Sequence, residues 1–293
     1  MDIDIWKPRY GTDFDQTKYL YHYTSIEKAI SIIHSKHLLF SQLAKTNDTT
    51  ESKVRISYMS DSSDEKVKDL EKFFEEHFQL IRLLCFCTDV PALNSTQKQF
   101  LENDRRRRYR DVTGRGLALP RMWAQYAANN GGVCFIVNKN KLEKQINKSA
   151  LTLISLKVNY KSFFSSYTMN ETDLNNLHGK ITSGPMLFND IIRAGKFFSK
   201  HMFFTKSKDW EGEHEYRYIT IVKKEEEVFK TGDLFDYLEG VVVGENIIPA
   251  YKKVIKIMLE GQSQIRRIVF SHMGAELKYL EEDISVYQCE KRN

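Results

Sequence analysis

Short apolar runs with strand character recur along the whole 293-residue chain, and their spacing limits the fold more than any other feature. The runs are rich in Tyr, Ile, Val, Phe and Thr, which suit a pleated, half-buried surface. Amphipathic segments separate them, as in residues 25–37, where Ile26, Ala29, Ile30 and Ile33 recur at helical spacing. The predicted strands are 19–23, 81–87, 133–137, 151–160, 215–222, 240–243, 265–270 and 283–287, and the predicted helices are 25–37, 64–80, 122–128, 185–204 and 248–259. This alternation predicts an α+β fold.

The composition predicts one folded domain rather than a string of modules. Hydrophobic residues make up 41% of the chain, which is ample material for a core. No repeat period and no low-complexity linker interrupts the sequence, and it contains only five prolines. We therefore expect a single domain over residues 1–293, with a core from about 19 to 245 and a polar, basic, exposed insertion from about 89 to 120.

The termini and the cysteines indicate a cytoplasmic protein without a membrane span. Acidic residues stand near the N-terminus where a signal peptide needs basic ones, and no apolar run approaches the ~18 residues that cross a bilayer. Four cysteines are too few for a disulfide scaffold of this size, so we expect reduced, buried thiols. Cys85 and Cys87 have no second Cys/His pair at zinc-ligand spacing, which argues against a metal site.

One short stretch of the insertion concentrates cations around an aromatic ring. The stretch consists of Arg105, Arg106, Arg107, Arg108, Tyr109 and Arg110. Such a run can hold phosphate groups. A solvated loop explains it equally well, because the net charge of +5 lacks the excess of a dedicated nucleic-acid-binding protein.

The segment around His22 joins a predicted strand to a predicted helix. Thr24 and Glu27 have the spacing of a capping box, which predicts Thr24 as the N-cap of that helix. His22 has no capping role, and alone it is typical of a hydrogen-bonded core histidine. The helix N-terminus nevertheless offers free amides and partial positive charge, which can hold a ribose and a pyrophosphate.

Two further segments combine groups that suit either structure or ligand binding. Asn47, Asp48 and Glu51 lie in a polar stretch, where Asn and Asp also serve simply to order a loop. Trp123 and Tyr126 are three residues apart and so share a helix face. That face belongs either to the core or to a π-surface for a cationic aromatic ring such as nicotinamide.

The densest polar constellation runs from residue 209 to residue 217. Strand periodicity predicts that Glu213, Glu215 and Arg217 lie on one face. Three charged groups together are costly if they are buried and ordinary if they are exposed. A carboxylate here can stabilise an oxocarbenium-like transition state or act as a general base.

Taken in order, these segments resemble a bacterial family without an assigned function. The resemblance extends from about residue 20 to about residue 245. The segments that carry it are Leu-Tyr-His22-Tyr-Thr24, Thr-Asn47-Asp48-x-x-Glu51, Cys-Phe86-Cys-Thr, Met-Trp123-x-x-Tyr126-Ala, Gly132-Val-Cys-Phe, Trp210-x-x-Glu213-x-Glu215-x-Arg217 and Val-Val-Gly244.

That family in turn is similar to the ADP-ribosyltransferases, including DarT-type toxins and the His-Tyr-Glu branch. The similarity implies split mixed and antiparallel sheets with flanking helices. It implies that His22 binds the adenosine-side ribose of NAD⁺ and that Tyr126 stacks on nicotinamide, while Thr24 contacts the nicotinamide end or caps the helix. Glu215 becomes the catalytic carboxylate and Glu213 orients the acceptor. The other residues expected around NAD⁺ are Tyr23, Asn47, Asp48 and Trp123.

The resemblance therefore implies an enzyme that cleaves the nicotinamide glycosidic bond of NAD⁺ and transfers ADP-ribose, without a metal. With the arginine run, it favours RNA or DNA over protein as the acceptor, and it implies a toxin or phage-defence effector controlled by an antitoxin or chaperone. Two alternatives stay open. One is a metal-dependent nuclease using Asp48, Glu51, Glu213 and Glu215. The other is a sensor domain that binds NAD⁺ or ADP-ribose without turnover.

Overall fold

A computed structural model describes residues 6, 17–46, 56–58, 65–90, 112–148, 153–162, 167–169, 171–182, 203–271 and 274–280. The chain forms two compact units. The first contains residues 1–38, 86–146 and 231–293, and the second contains 39–85 and 147–230. Residues 185–202 of the predicted helix 185–204, the predicted strand at 283–287 and the Asn47 and arginine segments lie outside the described residues. The prediction of one domain stays a prediction, because compact units of one chain can belong to a single domain.

The described elements alternate strands with short helices. The strands are β1 (Tyr19–Thr24), β2 (Ser41–Gln42), β3 (Ile56–Tyr58), β4 (Ile81–Cys87), β5 (Val133–Asn138), β6 (Leu153–Lys157), β7 (Asn159–Lys161), β8 (Tyr167–Met169), β9 (Thr205–Ser207), β10 (Glu215–Ile221), β11 (Leu238–Val243), β12 (Gln264–Ser271) and β13 (Gly274–Tyr279). The α-helices are α1 (Ile26–Ser35), α2 (Glu65–Phe78), α3 (Pro120–Tyr126), α4 (Lys139–Asn147), α5 (Glu171–Thr182) and α6 (Pro249–Met258). Short 3₁₀ helices lie at Leu43–Lys45, Gly116–Ala118, Lys208–Glu213 and Leu234–Asp236.

The first unit contains a mixed sheet with the strand order β13-β12-β11-β5-β1. β5 is antiparallel to both β1 and β11, and β11 is parallel to β12. Tyr21 of β1 also pairs with Cys87 at the end of β4. Helices α1 and α6 contact each other. Because β12 and β13 extend this sheet, residues beyond the predicted core limit of 245 are part of the folded unit.

One face of β1 supplies the hydrophobic core around α3. Side chains alternate between the two faces of a strand. Tyr19, Tyr21 and Tyr23 therefore share one face, and they pack in one buried cluster with Met122 and Trp123. The ligand-binding candidates His22 and Thr24 lie on the opposite face of the same strand.

The N-cap of α1 is Ser25, so the capping prediction for Thr24 was wrong by one residue. The Ser25 hydroxyl accepts the backbone N–H of Lys28. Thr24 is the last residue of β1 and pairs with Val133, which keeps it extended and leaves the capping position to its neighbour.

The predicted exposed insertion is anchored in the core at both ends, which corrects that part of the prediction. Asp89 and Arg115 are both buried, and α3 begins at Pro120, inside the range expected to be insertion. The buried ion pair between these two residues, described below, explains why charged side chains are tolerated there.

The second unit combines a strand set of order β4-β10-β6 with a helix pair. β6 is antiparallel to β10, and β2 pairs with β4. Two small parallel pairs, β3 with β8 and β7 with β9, complete the strands. Helices α2 and α5 contact each other over a core that includes Leu70, Phe74 and Leu174. The predicted α+β class is confirmed, and none of the described helices is long and apolar enough to cross a membrane.

Candidate functional site

Four charged side chains come together at the start of β10 in the second unit. Lys206 lies in β9, Glu213 ends a 3₁₀ helix, and Glu215 and Arg217 are the first and third residues of β10. The prediction that all three β10-region residues line one strand face is right for Glu215 and Arg217 but wrong for Glu213. The left-handed backbone of His214, with a φ of 46°, separates Glu213 from the strand. We call these four residues the charged cluster.

Arg217 binds Glu215 with the two-pronged geometry that guanidinium and carboxylate groups favour. Its Nε lies 2.6 Å from Glu215 Oε1, and its Nη2 lies 3.0 Å from Oε2. The remaining nitrogen, Nη1, donates to the Phe203 carbonyl at 2.8 Å. The carboxylate therefore has one fixed orientation.

Lys206 bridges the two carboxylates. Its Nζ lies 2.8 Å from Glu213 Oε2 and 2.8 Å from Glu215 Oε2. The same ammonium group lies 5.3 Å from the centre of the Trp210 ring, within the range of a cation–π contact. The sequence alone did not single out Lys206, because it stands before the acidic segment in a short strand that was not predicted.

The charged cluster is buried and its formal charges cancel. The side chains of Lys206 and Glu213 are 7% and 2% exposed, and those of Glu215 and Arg217 are 6% and 1% exposed. Burial raises the pKa of Glu215, but the charge and hydrogen bonds of Arg217, followed by the charge of Lys206, outweigh it and lower that pKa to about 2. Glu215 is therefore an anion at neutral pH.

Two further residues contact the Glu215 end of the cluster. The backbone N–H of Glu215 donates to the Tyr160 hydroxyl at 2.9 Å. Burial raises the pKa of the Tyr160 phenol, and it raises the pKa of the neighbouring Cys85 thiol, which hydrogen-bonds to the carboxylate. Cys85 is thus a neutral donor and not a thiolate nucleophile.

In the first unit, Tyr23 and Trp123 hold the chain that leads into α3. The Tyr23 hydroxyl donates to the Gly116 carbonyl at 2.6 Å, and the Trp123 indole donates to the Leu117 carbonyl at 2.9 Å. The two rings meet edge to face, 5.2 Å apart. Trp123 is fully buried, and Tyr126 is partly buried against the same cluster. Of the predicted pair Trp123 and Tyr126, only Tyr126 has exposed surface for a ligand.

His22 and Thr24 occupy the other face of β1. The partly exposed His22 ring lies 5.6 Å from the ring of Phe86. Thr24 is buried, and its carbonyl lies so close to Gly132 that a β-carbon there would approach it to 2.3 Å. Because residue 132 is glycine, its backbone can lie in close contact with the last residue of β1.

A buried network that the sequence did not indicate joins β1 to the chain that precedes α3. Arg115 Nη2 donates to the Tyr21 hydroxyl at 3.0 Å, and Arg115 Nε lies 3.4 Å from Asp89 Oδ1. Asp89 Oδ1 also accepts the backbone N–H of Gly116 at 2.7 Å. Burial raises the pKa of Tyr21 well above its usual value, so its phenol stays protonated. The network anchors both ends of the insertion to β1.

The structure thus divides the predicted site residues between the two units. Tyr23 and Trp123 contact each other in the first unit, which also contains His22, Thr24 and Tyr126. The second unit brings Glu213 and Glu215 together through Lys206. The other predicted residues lie outside the described part of the chain: Asn47, Asp48, Glu51, Arg105, Arg106, Arg107, Arg108 and Arg110. Within the described part, no group of three or more His, Cys, Asp or Glu side chains is arranged to hold a metal ion.

Comparison with known families places the charged cluster in a recognised sequence region. Residues 122–218 match DUF2971, a protein family of unknown function. The DUF2971 match begins at Met122, so it includes Trp123 and Tyr126, and it ends just after Arg217. Comparisons with curated proteins and with solved structures give no match.

Proposed function

We propose that the protein is an NAD-dependent ADP-ribosyltransferase, with Glu215 as its catalytic carboxylate. The observation that carries the proposal is the pair of buried carboxylates at the start of β10, one of which has its pKa lowered to about 2. The reaction passes through a cationic ribose, and a carboxylate that is already ionised and oriented can accept a hydrogen bond from that ribose without further reorganisation. The DUF2971 match covers this segment together with Tyr126.

The proposed reaction breaks the bond between C1′ of the ribose and the nicotinamide nitrogen. Nicotinamide leaves with the bonding electron pair, and the ribose becomes an oxocarbenium-like cation. An acceptor nucleophile then bonds to C1′ and loses a proton to a general base, for which Glu213 is the candidate. The products are nicotinamide, ADP-ribosylated acceptor and one proton.

The neutral balance of the charged cluster defines how Glu215 would act. Arg217 and Lys206 compensate both carboxylates, so the cluster has no excess negative charge to offer. The transition state would therefore be stabilised by a hydrogen bond from a ribose hydroxyl to the Glu215 carboxylate, which is already held in one orientation. Arg217 and Lys206 are positioning residues in this scheme, because they act through Glu215.

On the NAD⁺ side, the roles come from the resemblance to ADP-ribosyltransferases. His22 would bind the adenosine-side ribose and Tyr126 would stack on nicotinamide; both side chains are partly exposed. Tyr23 and Trp123, which the resemblance also places around NAD⁺, donate hydrogen bonds to backbone carbonyls before α3 and so hold the chain that leads to Tyr126.

The charged cluster favours this proposal over the metal-dependent nuclease. A nuclease would use Glu213 and Glu215 as Mg²⁺ ligands. The Lys206 ammonium already lies between those two carboxylates at hydrogen-bond distance, and Arg217 engages both oxygens of Glu215. A divalent cation would have to displace both side chains, leaving two buried cations facing it.

We further propose a nucleic acid, RNA or DNA, as the acceptor and a role as a toxin or phage-defence effector in the cytoplasm, controlled by an antitoxin or chaperone. The acceptor assignment rests on the run from Arg105 to Arg110, whose cations would contact backbone phosphates. The biological role follows from the resemblance to DarT-type toxins. Replacing the five arginines by serine would abolish modification of nucleic acid if the run contacts the acceptor.

The decisive experiment uses the full chain with NAD⁺ labelled in its adenylate part. The labelled NAD⁺ is incubated separately with total RNA, DNA and protein fractions, and both nicotinamide release and acceptor labelling are measured. Wild-type protein should release nicotinamide and label one fraction. Glu215→Gln should lower release at least 100-fold, since it removes the anion while keeping the shape of the side chain.

A stability control separates catalysis from folding. Leu70→Ala removes core volume in the same unit and is expected to cost about 2–5 kcal/mol without touching the charged cluster. Rates are compared per folded molecule for both variants. If Glu215→Gln releases nicotinamide at the Leu70→Ala rate, or if wild-type protein releases none with any fraction, the proposal is wrong. Binding of NAD⁺ with thermal stabilisation but no release would identify a sensor.

A further inference from the structure

A cleft in the first unit lies between the C-terminal end of α6 and the β12–β13 hairpin. Its volume is about 380 Å³, which is within the range of small-ligand sites. Its apolar lining includes Leu259, Ile265 and Leu280. Among the described residues of its lining there is none considered for NAD⁺ chemistry, so the proposed function leaves this cleft without a role.

An arginine stacked between aromatic rings forms one wall. Arg266 and Tyr279 face each other across the antiparallel β12–β13 pair. The Arg266 guanidinium lies 3.2 Å from the centre of the Tyr279 ring and 5.3 Å from the centre of the Trp6 ring. Trp6 is fixed in turn by its indole N–H, which donates to Gln264 Oε1 at 2.5 Å. Tyr279 nevertheless keeps 50% of its surface exposed.

The polar groups of the cleft suit an anion. Among the described lining residues, the cations are Lys256 and Arg266, and the carboxylate is that of the exposed Glu260. Ser263 also lines the cleft, but its hydroxyl oxygen is buried and offers no accessible hydrogen-bonding group to a ligand.

We infer that this cleft binds a nucleotide. Bases stack on aromatic rings, and Tyr279 keeps half of its surface exposed beside the Arg266 cation. The phosphate is held by Lys256 and Arg266, which both line the cleft. The apolar lining would contact the flat base of a nucleotide. Inorganic phosphate has no such ring and would gain nothing from that lining. The site needs no NAD⁺ turnover, so it stands whether or not the proposed transfer occurs.

The test measures binding of fluorescein-labelled hexauridylate to the full chain by fluorescence anisotropy. Wild-type protein should bind the probe, and Arg266→Gln, Tyr279→Leu and Lys256→Gln should each weaken binding at least tenfold. Lys253→Gln is the matched control, because Lys253 is an exposed cation on the same helix that does not line the cleft. It should change binding less than twofold. Circular dichroism of each variant confirms that it is folded.

Two competitors identify what the cleft recognises. Uridine monophosphate should displace the probe at concentrations where inorganic phosphate does not, because only the nucleotide has a ring to stack. A free nucleotide that competes as well as unlabelled hexauridylate identifies a mononucleotide ligand, and a much weaker one identifies a single-stranded nucleic acid. Three results overturn the inference: no binding of the probe, unchanged binding by all three cleft variants, or equal displacement by phosphate and uridine monophosphate.

Discussion

The guanidinium of Arg217 holds both carboxylate oxygens of Glu215 from two residues away on the same strand, at 2.6 Å and 3.0 Å. Residues two apart on a strand lie on the same face, so β10 itself fixes the pair. Both side chains are almost completely buried. A buried pair of this kind makes each partner dependent on the other, which gives the first prediction.

Glu215→Gln is expected to lower the free energy of unfolding by about 3–5 kcal/mol. The substitution leaves two buried cations facing one remaining carboxylate, and an uncompensated buried charge is costly. Urea unfolding monitored by circular dichroism measures the change. Glu211→Gln, at an exposed position in the preceding 3₁₀ helix, serves as the control and should change stability by less than about 0.5 kcal/mol.

Removing both partners should cost less than removing one. In Glu215→Gln/Arg217→Met, no strongly held charge is left without its partner, so part of the lost stability should return. If the two single substitutions instead lower the stability additively in the double variant, the two side chains do not interact energetically.

The same pair predicts a loss of stability in acid. The pKa of Glu215 is about 2 in the folded protein, against a reference value of 4.5 for the unfolded chain. Between these two pH values the folded state therefore binds fewer protons than the unfolded state. The stabilisation is complete above about pH 5 and disappears as the pH falls towards 2, with a total on the order of 3 kcal/mol. Unfolding measured at intervals from pH 6 to pH 3 should show a smaller decline for Glu215→Gln than for the wild type.

Glycine at position 132 is predicted to be essential for stability. A β-carbon there would approach the Thr24 carbonyl to 2.3 Å and the backbone of Ala127 to 2.9 Å, and backbone atoms cannot rotate away. Gly132→Ala should therefore cost about 2 kcal/mol or more. Gly179→Ala is the matched control, since Gly179 lies in α5 with nothing within 4 Å of the added carbon. That variant should be stabilised by about 0.5–1 kcal/mol, and thermal melting should separate the two.

Most of the larger elements could be predicted because their apolar pattern is strong. α2, for example, buries Val67, Leu70, Phe74 and Phe78 along one stripe. Helices α4 and α5 were missed because each buries only two apolar residues among many polar ones, so their helical period is weak in the sequence. Their formation depends on tertiary packing, as the contact between α5 and α2 illustrates.

The candidate site was predictable only where its members are neighbours in sequence. Glu213, Glu215 and Arg217 were found together because they occupy one short segment. Lys206 and the buried pair of Asp89 with Arg115 were not found, because their partners are set by turns and by the approach of distant segments. For Trp123, closeness in sequence was misleading. Its spacing from Tyr126 suggested a shared surface, but its indole is fully buried and donates a hydrogen bond to the Leu117 carbonyl.

Lys206 provides the prediction that best separates a structural role from a positioning role. Lys206→Met removes the cation between Glu213 and Glu215, and with it one of the charges that lower the pKa of Glu215, so that pKa should rise. If Glu215 is catalytic, nicotinamide release should fall further in acid than at pH 7, because the charge and hydrogen bonds of Arg217 still keep the carboxylate ionised at neutral pH. The acid limb of the pH–rate profile should therefore move to higher pH. Lys206→Arg keeps the charge and should restore the wild-type limb even where the rate is lower. A uniform loss of rate at every pH, in proportion to the loss of folded protein, would instead mean that Lys206 only supports the fold.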